Sequence, residues 1–214
     1  NSRVDGTRSV VDALSRLKKR PKTFISGSAI GFYGDRDDEI LSESSGAGDN
    51  FLAQTCREWE AESRRAEDAG IRTTLLRTGI VLSKDGGALA TMLLPFKMGV
   101  GGVIGGGKQW MSWISLDDEI RAIEFVLERE DIRGAVNLAS PNPVTNQEFT
   151  STLGEILYRP TFIPLPEFAV SMLLGEMGDE LLLASTRAVP ARLDDLGFEW
   201  QFPDLKTALE HALA

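Results

Sequence analysis

Apolar residues early in the chain change from helical spacing to a compact, strand-like run. Val10, Leu14 and Leu17 recur at intervals of four and three residues and Pro21 follows, which predicts an amphipathic helix ending before the proline. Residues 23–25 form a short β-branched and aromatic run, which predicts a buried strand. This part of the chain is therefore predicted to form a helix followed by a strand.

A second helix and a second strand are predicted next. Asn50 or the aspartate before it suits an N-cap, Gly70 suits the position after the last turn, and residues 71–77 form another strand-like run. Helix, strand, helix and strand in this order are typical of parallel strands joined by right-handed crossovers. The fold class is therefore predicted to be α/β. The narrow inner face of the second helix is predicted to consist of Leu52, Cys56, Trp59, Ser63 and Ala66.

Further helical and strand-like patterns continue to about residue 158. Helices are predicted over 86–98, after the capping-box-like start at 115–118, and after the capping box at 145–148. Strands are predicted over 109–114 and 135–138. In the helix after residue 115, the spacing predicts four inward-facing residues: Leu116, Ile120, Ile123 and Leu127.

The character of the sequence changes after Pro160, where prolines punctuate short helical patterns, including an apolar run at 168–174. We therefore predict a main α/β domain over residues 1–158 and a small mixed lobe over residues 159–214.

Small and hydroxylated residues follow the first strand, over 26–34. The carboxyl ends of strands in an open α/β sheet border a crevice that binds ligands, so this segment is a candidate site. A glycine- and serine-rich turn leaving a core strand is the plainer interpretation, and this stretch by itself leaves both open. A second long polar loop over 35–50 is also a candidate for function.

The glycine-rich stretch 99–108 matches no nucleotide-binding motif. It has P-loop spacing, but Gln109 stands where the motif needs a serine or threonine, and Ile104 stands where a dinucleotide motif needs glycine. A flexible loop bordering a pocket is the better interpretation.

Charge and rare residues exclude several classes of function. The net charge of the 214-residue chain is −9 with scattered cations, which argues against a nucleic-acid partner. No run approaches the roughly 18 apolar residues of a membrane span. Cys56 is the one cysteine and suits a reducing, cytoplasmic compartment. With His211 as the one histidine, a Cys/His zinc site lacks ligands, and we predict no metal.

Seven segments, taken together, resemble one protein family. They lie at 2–8, 26–34, 56–60, 76–82, 109–114, 136–138 and 141–146. The order and the amino-acid sequences of these segments resemble those of the YfcH-type (SulA-like) epimerase family. This family is an atypical branch of the extended short-chain dehydrogenase/reductases and is similar to the nucleoside-diphosphate-sugar epimerases. The resemblance implies a partial Rossmann-like parallel sheet that binds NAD or NADP, and a small substrate-side lobe.

The resemblance also implies a set of site residues. Ser28 stands at the position of the family's catalytic serine. The strand end is expected to border the nicotinamide through Ser26, Gly27, Ser28 and Ala29. The next strand end is expected to flank it through Thr78, Gly79, Ile80 and Val81, with Cys56 on the ribose side. On the substrate side we expect Lys97, Trp113 and Arg187, the last as a clamp for an anionic group.

The family's Tyr-x-x-x-Lys pair is not matched. If Glu60 is the family's glutamate four residues after the lysine, then Cys56 replaces the lysine and Leu52 the tyrosine. Neither side chain can do the work of the residue it replaces. Tyr33 is the nearby phenol that we predict as a substitute acid/base.

Three functions follow from the resemblance and its gaps. The first is an NAD(P)-dependent oxidoreductase or epimerase for a small or nucleotide-linked substrate. The second is a catalytically silent NADP(H)-binding sensor, favoured by Leu52 and Cys56. The third is a cell-division-related interaction protein, and the family is compatible with a homodimer. The family's glycine-rich pyrophosphate turn is not in this sequence, so we expect the first βαβαβ half upstream of Asn1.

Overall fold

The structure is a computed structural model that describes residues 2–162, 164–166 and 182–214. The helices of this part of the chain are α1 Ser2–Arg16, α2 Phe51–Asp68, α3 Gly87–Lys97, α4 Leu116–Glu128, α5 Asn146–Ile156, α6 Ala191–Asp195 and α7 Leu205–Leu213. The strands are β1 Thr23–Ala29, β2 Ile40–Leu41, β3 Arg72–Thr78, β4 Ile80–Leu82, β5 Trp110–Met111, β6 Trp113–Ser115, β7 Gly134–Leu138, β8 Val144–Thr145 and β9 Arg187–Ala188. A 3-10 turn spans Ile30–Tyr33.

The central sheet consists of three parallel strands in the order β1-β3-β7. Ala29 pairs with Thr78 and Thr78 pairs with Leu138, so the carboxyl ends of all three strands lie side by side. Three two-stranded sheets surround it: β2–β9 and β4–β6 are parallel, and β5–β8 is antiparallel. The predicted α/β class and Rossmann-like parallel sheet are confirmed. In the described residues, the outer edge of β1 pairs with no strand.

Helices cover both faces of the central sheet. On one face α1 and α2 pack through Val11, Ala66 and Ile71, with Phe24 of β1 against them. Side chains of a strand alternate between faces, so the next residue, Ile25, packs into the opposite cluster beneath α4. A third cluster, centred on the buried Trp113 and Phe149, joins α3, α5 and α7 beyond the sheet. Among the described helices, none is both long and apolar enough to cross a membrane.

The predicted inner face of the first helix is wrong. Val10 and Leu17 are exposed, while Val4 and Val11 are buried and Leu14 packs beside them. The helix ends at Arg16, so Leu17 lies outside it. Contact with α2 determines which side of the helix is buried. At this turn the buried residue is Val11, one position after the Val10 that the spacing of apolar residues suggests.

The predicted inner face of α4 is correct at Ile123, which packs against the buried cluster, and wrong at the other three positions. Leu116, Ile120 and Leu127 are 43%, 50% and 56% exposed, and the inward turn positions include Asp118 and Ala122. The reason is that the Asp118 carboxylate accepts hydrogen bonds from the backbone N–H groups of residues 201 and 202, at 2.8 Å each. This buried acid turns the helix so that Leu116, Ile120 and Leu127 face outward, while Ile123, Phe125 and Val126 pack against the buried cluster.

Three other predictions are revised or stay open. The strand predicted over 109–114 is two strands, because Ser112 interrupts it and its hydroxyl bonds to the carbonyl oxygens of Thr186 and Ala188. The loop over 35–50 contains β2, which pairs with β9. The apolar run at 168–174 lies outside the described residues. The boundary between 158 and 159 stays a prediction.

Arg72, at the amino end of β3, ties the sheet to the end of α4. Its side chain is buried, and Nη1 donates to the carbonyl oxygens of Val126, Arg129 and Ile132 at 3.2, 2.7 and 2.9 Å. The last carbonyl groups of a helix lack partners within the helix, so this arginine satisfies groups that are otherwise buried and unpaired.

We predict that Arg72→Met lowers the free energy of unfolding by about 3 kcal/mol, because several buried carbonyl groups lose their donor. Urea unfolding of the chain measures the change, with Arg57→Met on an exposed position of α2 as the matched control. Equal midpoints for the two variants would contradict this role of Arg72.

Candidate functional site

The carboxyl ends of β1 and β3 bring together most of the predicted cofactor residues. Ser28 pairs with Arg77 and Ala29 with Thr78, so the segment 26–29 lies directly beside the end of β3. Gly79 continues from there into β4, where Ile80 and Val81 pair with β6. One end of the sheet thus collects the small residues of β1 and the half-buried residues 78–81.

Ser28 is held by a buried ion pair. Its hydroxyl donates to Oε1 of Glu60 at 2.8 Å, and Arg77 donates to the same carboxylate through Nε at 2.8 Å and Nη2 at 3.0 Å. The Glu60 and Arg77 side chains are each only 4% exposed. A bidentate pair of this kind has a fixed geometry. Glu60 on α2 therefore fixes the end of β1 relative to β3.

Tyr33 belongs to the same network and is not available to a substrate. Its hydroxyl donates to Oδ1 of Asn137 at 2.7 Å and accepts from Nη1 of Arg77 at 3.0 Å. The residue is fully buried, and burial raises the pKa of its phenol. The structure therefore does not support Tyr33 as a substitute acid/base, since its proton is directed into the core.

Leu52 and Cys56 lie beside the turn that follows β1. A side-chain carbon added at Gly31 would be 3.6 Å from Cβ of Leu52, and the backbone of Ala29 acts on the Cys56 thiol in the direction that lowers its pKa. Burial raises the pKa of the Cys56 thiol, so it is neutral at neutral pH. Both residues stand near Ser28 without supplying a proton or a charge. Contact of Cys56 with a ribose stays a prediction.

Glu119 is a residue of this region that the sequence interpretation missed. Oγ1 of Thr78 donates to its Oε1 at 3.0 Å, while Oε2 is buried and has no hydrogen-bond partner among the described residues. Burial raises the pKa of Glu119 to about 7, and the bond from Thr78 acts in the opposite direction. Glu119 follows two aspartates at the beginning of α4, a pattern that is typical of solvent-exposed residues in the first turn of a helix.

Gly79 has a structural reason to be glycine. A side-chain carbon there would approach the carbonyl oxygen of Ser112 to 2.6 Å, a distance that such atoms do not tolerate. Its backbone N–H donates to the carbonyl oxygen of Leu138 at 2.9 Å. The close crossing of neighbouring strands therefore requires this glycine, whatever binds nearby.

The predicted substrate-side residues do not form one cluster. Trp113 is fully buried and its indole N–H donates to the carbonyl oxygen of Asn142 at 3.1 Å, so the structure does not support it as a substrate contact. Arg187 instead lies over the ring of Trp110, with its guanidinium carbon 4.0 Å from the ring centre. Lys97 is exposed at the end of α3, and among the described residues no hydrogen bond or ion pair joins it to Arg187.

Arg187 has an unused hydrogen-bond donor. Its Nε is buried and has no acceptor among the described residues. The ring beneath it is itself fixed, because the indole N–H of Trp110 donates to Asp38 at 2.8 Å. A half-buried arginine over an aromatic ring, with an Nε that has no acceptor among the described residues, is suited to meet an anion or another acceptor.

Comparison with known proteins decides the family. Residues 1–139 match the NAD dependent epimerase/dehydratase family. The chain belongs to this family. Residues 165–212 match a second family that is described only as a domain of unknown function, DUF1731. The predicted membership of the epimerase family is therefore confirmed, and the YfcH-type naming stays a prediction.

Several family members are similar along most of the chain. An epimerase family protein of Mycobacterium leprae is 46% identical over 89% of this chain and 62% of its own length. Epimerase family protein YfhF of Bacillus subtilis is 39% identical over 100% of this chain and 70% of its own. The chain thus spans about three fifths of the Mycobacterium leprae relative.

Two solved structures share the fold closely. The crystal structure of human epimerase family protein SDR39U1 (isoform 2) with NADPH has a TM-score of 0.93 at 33% identity, over 99% of this chain and 72% of that chain. The nucleoside-diphosphate sugar epimerase from Corynebacterium glutamicum has a TM-score of 0.82 at 37% identity, over 99% of this chain and 41% of that chain.

We predict that Glu60→Gln lowers the free energy of unfolding by about 3 kcal/mol, because it leaves the buried Arg77 without a counter-charge. Glu58→Gln, on the exposed side of the same helix, is the control and is expected to change stability little. Thermal and urea unfolding measure both. A neutral effect of Glu60→Gln would show that Arg77 finds another partner.

Proposed function

We propose that this chain forms the nicotinamide-side part of an NAD(P)-dependent epimerase or oxidoreductase for a small, nucleotide-linked substrate. The observation that carries the proposal is the parallel pairing of Ala29 with Thr78, which collects the predicted cofactor residues at one end of the sheet. The likeness to the human relative, whose structure was solved with NADPH, supports NADP(H) as the cofactor. The likeness to a nucleoside-diphosphate sugar epimerase supports a nucleotide-linked substrate.

The residues at this end of the sheet fit a flat ring. Ser26, Gly27, Ser28 and Ala29 have small side chains, so a planar group can approach the backbone closely. Residues 78–81 would flank the ring from the neighbouring strand, and Cys56 would lie on the ribose side. When bound, the nicotinamide supplies hydride exchange with a substrate carbon. The Glu60 and Arg77 pair holds Ser28 in place for this work.

Arg187 and Trp110 are the proposed substrate-side contacts. The unused Nε of Arg187 would donate to an anionic group, such as a phosphate of a nucleotide-linked substrate. Lys97 remains a proposed second cation, and Trp113 is no longer proposed. Residues 159–214 are proposed as the lobe that carries Arg187.

A catalytically silent NADP(H)-binding protein is the second candidate. The observation that favours it is the position of Leu52 and Cys56 beside the turn after Ser28, where neither can exchange a proton with a substrate. Tight binding of NADPH without turnover on a broad panel of carbonyl compounds and nucleotide sugars would select this candidate.

We predict that the full-length protein binds NADPH, seen as a change in nicotinamide fluorescence, and that Ser28→Ala keeps the dissociation constant within about threefold but lowers turnover about 100-fold. The reason is that Ser28 would contact the reacting carbonyl group and would contribute little to the binding affinity for the dinucleotide. Ser44→Ala, on an exposed loop, is the control. Absence of NADPH binding by the wild-type protein would overturn the proposed function.

We predict that Arg187→Gln weakens binding of uridine diphosphate, used as a probe, about tenfold or more, since a charge-assisted bond is worth about 1.5–3 kcal/mol. Isothermal titration calorimetry on the full-length protein measures the change. Arg133→Gln, just before the amino end of β7, is the control. Unchanged affinity in Arg187→Gln would exclude this arginine as the anion contact.

A further inference from the structure

We propose that Glu119 is the proton-exchanging group of this site, in the role that Leu52, Cys56 and Tyr33 cannot fill. This inference rests on the proposed function, because it assigns a role within the same site. It would make the chain an enzyme with an unusual acid/base and not a silent binding protein.

The position of Glu119 supports this role. β3 ends at Thr78, and Thr78 holds the Glu119 carboxyl through its hydroxyl at 3.0 Å. The same Thr78 pairs with Ala29, the residue after Ser28, across the sheet. Glu119 therefore reaches the end of the sheet where Ser28 lies, and it reaches this end from the face covered by α4, opposite the face of Glu60.

The second carboxyl oxygen of Glu119 is the unusual feature. Oε2 is buried and has no hydrogen-bond partner among the described residues, although buried polar atoms are nearly always paired. The neighbouring Asp118 shows the contrast, because its two oxygens accept bonds from the backbone at 201 and 202, and from Ser115 and Arg121. Asp118 is thus committed to the fold, whereas Glu119 keeps one oxygen available for another donor.

No ion pair of the described residues involves Glu119. On its own helix, Asp117 pairs with His211 at 3.0 Å and Asp118 pairs with Arg121 at 3.0 Å. The strands β4 and β6, which contact α4, contain no ionisable side chain.

On β3 the two arginines are engaged elsewhere. Arg77 is directed to Glu60, and Arg72 bonds to the carbonyl groups at the far end of α4. Burial therefore acts on Glu119 almost unopposed, and its pKa of about 7 suits both release and uptake of a proton at neutral pH.

The chemistry balances with one hydride and one proton. When bound, the oxidised nicotinamide would accept the hydride from the carbon of a secondary alcohol, and the Glu119 carboxylate would take up the hydroxyl proton, which leaves a carbonyl group. In the reverse direction the protonated Glu119 would return the proton to the carbonyl oxygen.

The test compares Glu119→Gln with Glu124→Gln, a control at an exposed position of the same helix. In the full-length protein we expect Glu119→Gln to keep the dissociation constant for NADPH within about threefold. We expect the same variant to lower kcat/KM about 100-fold and to lose the limb of the pH–rate profile that has its midpoint near pH 7. Glu124→Gln should match the wild-type protein. A Glu119→Gln variant that keeps its rate and the same limb would overturn the inference.

Two further measurements keep the result interpretable. Thr78→Val removes the one bond that stabilises the Glu119 carboxylate, so the limb should move to higher pH, which a purely structural glutamate would not cause. Carbon-13 NMR of labelled glutamate should show one carboxyl titrating near pH 7 in the wild-type protein and none in Glu119→Gln. Titration of Glu119 near its ordinary value would overturn the inference. If wild-type protein fails to bind NADPH, the proposed function fails first, and this inference fails with it.

Discussion

The buried pair between Glu60 and Arg77 is the interaction on which the arrangement of the site depends. It joins α2 to β3, and through hydrogen bonds it holds Ser28 at the end of β1 and the phenol of Tyr33. Each charge would be costly to bury alone, and the pair is stable because its donors and acceptors are matched in a bidentate geometry. Residues that surround a candidate catalytic serine are thereby used to position it, and they are not free to react.

The two faces of the sheet therefore have different roles. On the α2 face the ionisable groups neutralise one another and form a rigid support behind Ser28. On the α4 face Glu119 has no counter-charge among the described residues, and burial keeps its proton affinity high. A group that exchanges protons must not be locked into an ion pair, and of Glu60 and Glu119 only Glu119 meets that condition in the described part of the chain. If Leu52 and Cys56 replace the family's tyrosine and lysine as predicted, Glu119 is the proposed source of acid/base chemistry.

Much of the fold could be predicted from spacing, but less of the site. Periodicity predicted the order of helices and strands, and the sequence motif after the first strand predicted the position of Ser28. The inward face of α4 could not be predicted in this way, because buried Asp118 overrides the apolar pattern through bonds to a segment more than 80 residues away. The structure does not support the predicted roles of Tyr33 and Trp113, and the sequence could not show this because burial is a tertiary property. An arginine inside an apolar strand, Arg77, was the available signal for a buried counter-charge on a neighbouring helix.

The most direct test is a crystal structure of the full-length protein with NADP(H). The nicotinamide ring is predicted to lie in van der Waals contact, within about 4 Å, of both Ser28 at the end of β1 and Thr78 at the end of β3. A dinucleotide bound with its nicotinamide away from these two strand ends would contradict the assignment of the site.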